Sequence, residues 1–195
     1  MKKGEITIGI DEAGRGPLAG PVVAAAVASF NDYKLRRKLG IKDSKQLSFQ
    51  KREEIYNSLK KDKNIQWGVG RVGEKLIDKI NILEATKLAM KRAVLNLKKN
   101  NDFKVKMLLL DGNFKINMNY PQRKYVKGDE RVFLISLASI IAKVKRDRLM
   151  EKYHQKFPGY GFNKNMGYPT KDHRERIKDN GSCGIHRKSF KLNSS

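Results

Sequence analysis

At 195 residues, with 39% hydrophobic and 32% charged side chains, the chain is long enough to bury a core and too apolar for a disordered tail. Its 43 Lys and Arg against 20 Asp and Glu leave a formal charge of +23, which favours a polyanionic partner, nucleic acid first, although a Lys-, Asn- and Ile-rich composition accounts for part of it as solvated surface. Cys183 is the single cysteine, which excludes an internal disulfide and a cysteine-built zinc site.

Taken in chain order, Glu5 and the acids Asp11 and Glu12 interrupt any leader-like apolar stretch behind Met1-Lys2-Lys3. The longest apolar run, Pro17 to Ala28, is too short to span a bilayer, so a soluble cytoplasmic protein without membrane attachment is expected. Glu5 to Ile10 alternates polar and apolar residues and Val22 to Ala28 is a β-branched, alanine-rich run; both predict strands. Ser48 can cap a helix running to Lys61, Ile65 to Val72 alternates again, and Asn81 with Glu84 forms a capping box for a helix to Lys99. Val105 to Leu110 and the shorter Arg123 to Val126 complete five strands. A long helix is predicted from Glu130 to about Lys156, ended by Pro158-Gly159, and Thr170 caps a last one that stops before Gly181. The pattern is α/β, in one domain over residues 1–195 whose last part, from about 150, is helical. Phe133, Leu137, Ile140 and Val144 fall on one face of the long helix as core, and Ser136, Ser139 and Lys143 on another.

The chemistry begins at Gly9-Ile10-Asp11-Glu12-Ala13-Gly14-Arg15-Gly16, where a strand delivers two carboxylates into a glycine-rich turn. Neighbouring side chains on a strand point to opposite faces, so for both acids to serve one site the strand must end or twist there. The glycine intervals fit neither a dinucleotide fingerprint nor a phosphate-binding P-loop. Acids beside such a turn would repel a phosphate unless a cation stood between, and oxygen-only ligands suit Mg²⁺ or Mn²⁺. Asp111 ends an apolar strand in the same way, before Gly112. Asp129 stands at the start of the long helix, where it can ligate a metal or serve as an N-cap.

The run Gly9-Ile-Asp-Glu-Ala-Gly-Arg-Gly-Pro-Leu-Ala-Gly-Pro-Val-Val resembles the type 2 ribonuclease H family, ribonuclease HII. Further blocks resemble it in order: Asp43-Ser44-Lys45-Gln46-Leu47, Leu110-Asp111-Gly112, Lys127-Gly128-Asp129, Ser139-Ile-Ile-Ala-Lys143-Val-Lys-Arg146-Asp147, Pro158-Gly-Tyr-Gly-Phe162, Gly167-Tyr168-Pro-Thr-x-x-His173 and His186-Arg187-x-Ser189-Phe190. The resemblance implies a ribonuclease H-like fold, a five-stranded mixed sheet with flanking helices and a helical C-terminal part. It implies an endonuclease that cuts the RNA strand of RNA·DNA hybrids and ribonucleotide-containing duplex DNA, acting as a monomer. Asp11, Glu12, Asp111 and Asp129 would hold Mn²⁺ or Mg²⁺, two ions during catalysis. Gly14, Arg15 and Gly16 would read the ribose hydroxyl, and Tyr168 would stack on a sugar at the RNA–DNA junction. Lys45, Ser139 and Lys143 would contact the phosphate backbone.

Met166 stands where the family often has a lysine, and Leu137-Ala138 replaces a more alanine-rich pair; both bear on substrate grip, not on chemistry. A sister family carries an extra N-terminal binding domain, and a first strand opening near residue 5 favours the type 2 family instead. From another class, a non-catalytic nucleic-acid-binding protein that kept the fold is the alternative, against which the presence of all four acids speaks. His154, His173 and His186 are scattered and are expected to be satisfied or surface histidines without a role.

Overall fold

The computed structural model describes residues 4–30, 47–99 and 101–190. Five strands, β1 (Glu5–Ala13), β2 (Val22–Ser29), β3 (Ile65–Val72), β4 (Lys104–Asp111) and β5 (Gln122–Tyr125), form one sheet in the order β3-β2-β1-β4-β5. β1, β2 and β3 pair antiparallel, while β4 lies parallel to β1 and β5 parallel to β4. The sheet is therefore mixed, as the resemblance implied, and among the described residues no helix is long and apolar enough to cross a membrane.

Two long helices cover the two faces: α2 (Glu74–Lys99) and, later in the chain, α4 (Phe133–Lys156). The period of two in β2 divides its side chains between them. Val22, Ala24, Ala26 and Ala28 join Ile8, Ile10 and the α2 core, whereas Ala25 and Val27 pack with Leu137, Ile140 and Ile141 of α4. The expected α4 stripe of Phe133, Leu137, Ile140 and Val144 is buried. Gly9 matters to this layer, because a Cβ there would overlap the Leu134 backbone. Its missing side chain lets α4 lie directly on β1, close to the acids that follow.

Helix α1 (Phe49–Lys61) starts as expected, with the Ser48 hydroxyl accepting from the Lys51 N–H. The last helix, α6 (Lys171–Asn180), has Thr170 capping the His173 N–H. Between them lie the short α3 (Gly128–Arg131), a single 3₁₀ turn at Pro158–Tyr160, and α5 (Phe162–Asn165).

Three boundaries differ from the sequence expectation. β1 does not end at Ile10 but stays paired with β2 through Ala13. Helix α2 begins seven residues before Asn81, which sits at a kink with φ 64. Its side chain accepts from the N–H groups of Leu83 and Glu84, so it does cap, but it caps the second half of a helix already under way. The predicted helix from Glu130 is two helices, because Val132 adopts extended angles (φ -119, ψ 112) between α3 and α4.

Candidate active site

The parallel pairing of β1 with β4 stops at Ile10↔Leu110, one residue before Asp11 and Asp111. Both acids thus stand just past the point where the parallel pairing ends, Asp111 as the last residue of β4 and Asp11 two residues before the end of β1, where separating chains open a crevice. β5 adds to the same end: Asp111 pairs with Tyr125, and the chain then turns through Lys127 into α3. The Gly128 N–H donates to Asp111 Oδ1 at 2.7 Å, which ties the strand-end acid to the residue just before Asp129. Asp129 itself is buried and lies inside α3, whose N-cap is Lys127 with no side-chain cap bond. The N-cap role considered for Asp129 therefore falls to another residue.

Asp11 is buried under α4, with one oxygen accepting from the Glu12 N–H at 2.7 Å. Burial, with the Glu12 and Asp111 charges beside it, holds its carboxyl well above the usual carboxylate range, while a hydrogen bond from Ser139 works against that rise. Burial likewise raises Glu12, to about 6, with Arg15 opposing and Asp111 adding to the effect. Glu12 Oε1 faces the Arg15 guanidinium at 3.5 Å, and its other oxygen, Oε2, is buried with no hydrogen-bond partner among the described residues. An unsatisfied buried carboxylate oxygen is costly unless something of opposite charge meets it. Among the described residues no three acid, histidine or cysteine side chains close into a metal-holding group. The acids stand at one end of the sheet, Asp11 and Glu12 from β1, Asp111 from β4 and Asp129 from α3.

Above them lies a cleft of about 340 Å³ lined by Glu12, Ala13, Gly14, Arg15, Gly16, Arg52, Ser139, Ile140, Lys143 and Tyr168. Six of the expected substrate residues thus share one cavity with an acid. Lys45 lies outside the described residues. Tyr168 is 39% exposed, so its ring is cleft wall and not core packing. Ser139 faces Asp11 from the second turn of α4, whereas Ser136 is turned inward, donating to the Phe133 carbonyl at 2.8 Å. Lys143 is on the cleft but its ammonium is held by the buried Asp147 at 2.8 Å, so it has a partner on the protein side as well. Arg52, from α1, is a cleft residue that the sequence did not single out; its guanidinium is anchored on the Leu47 carbonyl.

The turn from Gly14 to Pro21 is held from below by two buried arginines. Arg187 donates to the carbonyls of Gly14 (2.6 Å), Arg15 (2.9 Å) and Gly20 (2.8 and 3.0 Å). Arg146 donates to those of Ala19, Pro21 and Met166. Gly14, at φ 100, has no room for a side chain, since a Cβ would overlap the Arg146 guanidinium. Tyr168 is fixed by a different chain of bonds. The Cys183 N–H donates to His186 Nδ1 (2.9 Å), which makes the other ring nitrogen the donor to His173 Nε2 (3.2 Å), and His173 Nδ1–H donates to the Tyr168 carbonyl (2.8 Å). Both imidazoles are neutral in this arrangement. Burial lowers the pKa of His173 and, with His173 beside it, that of His186 to about 4.

A sequence model of the family described as Ribonuclease HII matches residues 8–193. The chain belongs to the ribonuclease HII family. The ribonuclease HII of Syntrophus aciditrophicus is 51% identical over 97% of this chain and 85% of its own length, and that of Leuconostoc mesenteroides 50% identical over 97% and 72%. Among solved structures, the complex of PCNA with RNase HII from Archaeoglobus fulgidus superposes with a TM-score of 0.80 at 31% identity, covering 97% of both chains. A structure of Bst-RNase HIII in complex with Mn²⁺ has a TM-score of 0.72 at 19% identity over 92% of this chain and 64% of its own, a likeness of fold. As a ribonuclease HII, the chain is an endoribonuclease, a hydrolase whose substrate is nucleic acid.

Proposed function

We propose that this ribonuclease HII cuts the RNA strand of RNA·DNA hybrids and cleaves duplex DNA at embedded ribonucleotides, leaving 5′-phosphate and 3′-hydroxyl ends. The observation that carries the reading is a cleft that Glu12 lines with Gly14, Arg15 and Gly16, beside Asp11 and Asp111, which stand just past the last paired residues of two adjacent parallel strands.

The acids fit a divalent cation. Their donors are all oxygen, burial opposes the charges of Asp11 and Glu12, and Glu12 Oε2 is a buried acceptor without a partner among the described residues. Asp11, Glu12, Asp111 and Asp129 would hold Mn²⁺ or Mg²⁺, in two sites during catalysis; the Mn²⁺ in the fold-related RNase HIII makes that ion a natural first choice. When bound, such ions supply the positive charge that activates a water and stabilises a leaving 3′ oxygen. The protein contributes placement. Ser139 fixes the Asp11 carboxyl, and the Gly128 N–H fixes that of Asp111. The Gly14-Arg15-Gly16 turn offers backbone groups to the 2′-hydroxyl that separates RNA from DNA, and the exposed Tyr168 ring offers a surface for the junction sugar. Lys45, Ser139 and Lys143 would position the phosphate backbone without reading sequence, and Arg52 joins them by its place in the cleft.

The test is cleavage of three labelled duplexes, one all DNA, one hybrid and one DNA with a lone ribonucleotide, each with Mg²⁺, Mn²⁺ or a chelator. Cutting is expected only in the last two and only with a metal. Cleavage of all-DNA duplex, or turnover in chelator, overturns the reading.

A further inference from the structure

Arg146 and Arg187 are both buried, and each spends its hydrogen bonds on backbone carbonyls instead of a carboxylate. Burial first, and the neighbouring Arg146 charge second, lower the Arg187 pKa to about 9, which still leaves it protonated at neutral pH. Two adjacent buried cations without a hydrogen-bonded counter-ion form an expensive arrangement, and its return lies in what they hold.

They hold the turn that walls the cleft. In a planar trans peptide the carbonyl of one residue and the N–H of the next point in opposite directions. Arg187 draws the Gly14 and Arg15 carbonyls downward, so the Arg15 and Gly16 N–H groups of the same two peptide units are directed away from it. The rigid fork of a guanidinium can span several carbonyls at once, which an ammonium cannot do with the same geometry. Asp78 of α2 steadies this arm from outside: its carboxylate accepts from the N–H groups of Lys188 and Ser189 and from the Ser189 hydroxyl at 2.6 Å.

We propose that Arg187, backed by Arg146, is a positioning residue for ribose recognition, which fixes the direction of the Arg15 and Gly16 N–H groups and thereby the preference for a 2′-hydroxyl. The inference rests on the reading that the Gly14-Arg15-Gly16 turn detects that hydroxyl.

The test compares single-turnover cleavage of a duplex carrying one ribonucleotide with that of the same duplex carrying a 2′-fluoro nucleotide in its place, for the full-length wild type, Arg187→Lys, Asp78→Ala and Gly16→Ala. Wild type should favour the hydroxyl by roughly 10- to 100-fold, the scale of one well-placed hydrogen bond in a desolvated site. Arg187→Lys should shrink that ratio to a few-fold, with duplex binding within about threefold of wild type. Asp78→Ala, which frees the Lys188–Ser189 segment and removes a charge acting on Arg187 while leaving the Arg187 hydrogen bonds in place, should shift the ratio in the same direction by less.

A folded Arg187→Lys with the wild-type ratio, even if slower or less stable, overturns the proposal; if that variant does not fold, an unchanged ratio in Asp78→Ala does so. Gly16→Ala separates the two readings, since a Cβ there meets only the Tyr168 ring, at 3.9 Å, so the fold is kept while the added methyl stands in the cleft and keeps a ribose off the Gly16 N–H. If Gly16→Ala keeps the full ratio, the turn does not read the hydroxyl and that part of the proposed function falls. If it loses the ratio while Arg187→Lys keeps it, only the positioning role falls.

Discussion

Asp11 is opposed by burial and by two acidic neighbours, so that its charge is held at the expense of the fold. In chelator, Asp11→Asn should therefore raise stability by about 1–2 kcal/mol, seen as a higher melting temperature, while metal-dependent cleavage falls by at least about 100-fold. A variant that melts lower and cleaves normally contradicts both halves. Asp129→Asn should still shift a hybrid duplex on a gel and fail to cut it. Near-normal cleavage by that variant removes Asp129 from the ligand set. At this scale Asp11, Glu12 and the turn stood out because they are adjacent in sequence, whereas Asp111 stood out as the stop of an apolar strand and Asp129 joined them through the family resemblance. Arg146, Arg187 and Arg52 did not stand out, since the carbonyls or cleft that give them meaning come from elsewhere in the chain. His173 and His186 are satisfied, as expected, whereas the buried His154 Nδ1 has no partner among the described residues, and nothing in their spacing shows that His173 and His186 meet.

Among the elements, the kink in α2 is the clearest departure from sequence expectation. Asn81 and Glu84 do make a cap, and a cap is ordinarily read as a beginning; here Leu76, Ile77 and Ile80 had already started the helix on the same face. Asn tolerates the left-handed angle at the kink and bonds two N–H groups. Asn81→Ala should cost about 1–2 kcal/mol by thermal or urea unfolding, and Asn81→Gly less, because glycine loses the cap without the backbone strain. The reverse order would place the cost elsewhere. The break at Val132 has no local marker, since its extended angles serve the junction of α3 and α4 and not a preference of valine in that context.

The elements that carry the histidine pair give a pH prediction. A histidine whose folded pKa lies below its unfolded value stabilises the fold above the unfolded value, and that stability is lost as pH falls toward the folded one. For His186 the window runs from about 6.5 to about 4. His173 and the Asp172 and Arg176 charges of α6 face the same pair, and the raised carboxyl of Glu12 acts in the opposite sense within that range. The informative measurement is thus a difference: relative to wild type, His186→Gln should flatten the acid limb of the melting curve by about 2 kcal/mol between pH 6.5 and 4.5. Identical acid limbs count against a neutral buried pair.

Over the whole molecule, a formal charge of +23 attracts a duplex to the surface at large, and on the proposed reading discrimination belongs to one cleft. Binding to hybrid and to all-DNA duplex should show similar slopes against log salt, about −0.9 for each phosphate neutralised, while only ribose-containing duplex is cut. A much steeper slope for the hybrid would mean that ribose recognition recruits extra cations. The sheet order itself was not readable from alternation, which finds strands but not neighbours. It took the pairing of β1 with β4 to put Asp11 beside Asp111.

The bonds from Arg187 to the Gly14 and Arg15 carbonyls join residues 173 and 172 positions apart. A chain emerging from the ribosome N-terminus first has made its acids long before it makes the arm beneath them. Every earlier pairing in the sheet can form while that arm is still being synthesised. The Gly14-Arg15-Gly16 turn is thus set only after residue 187 has been made, later than the pairing of the strands that flank it.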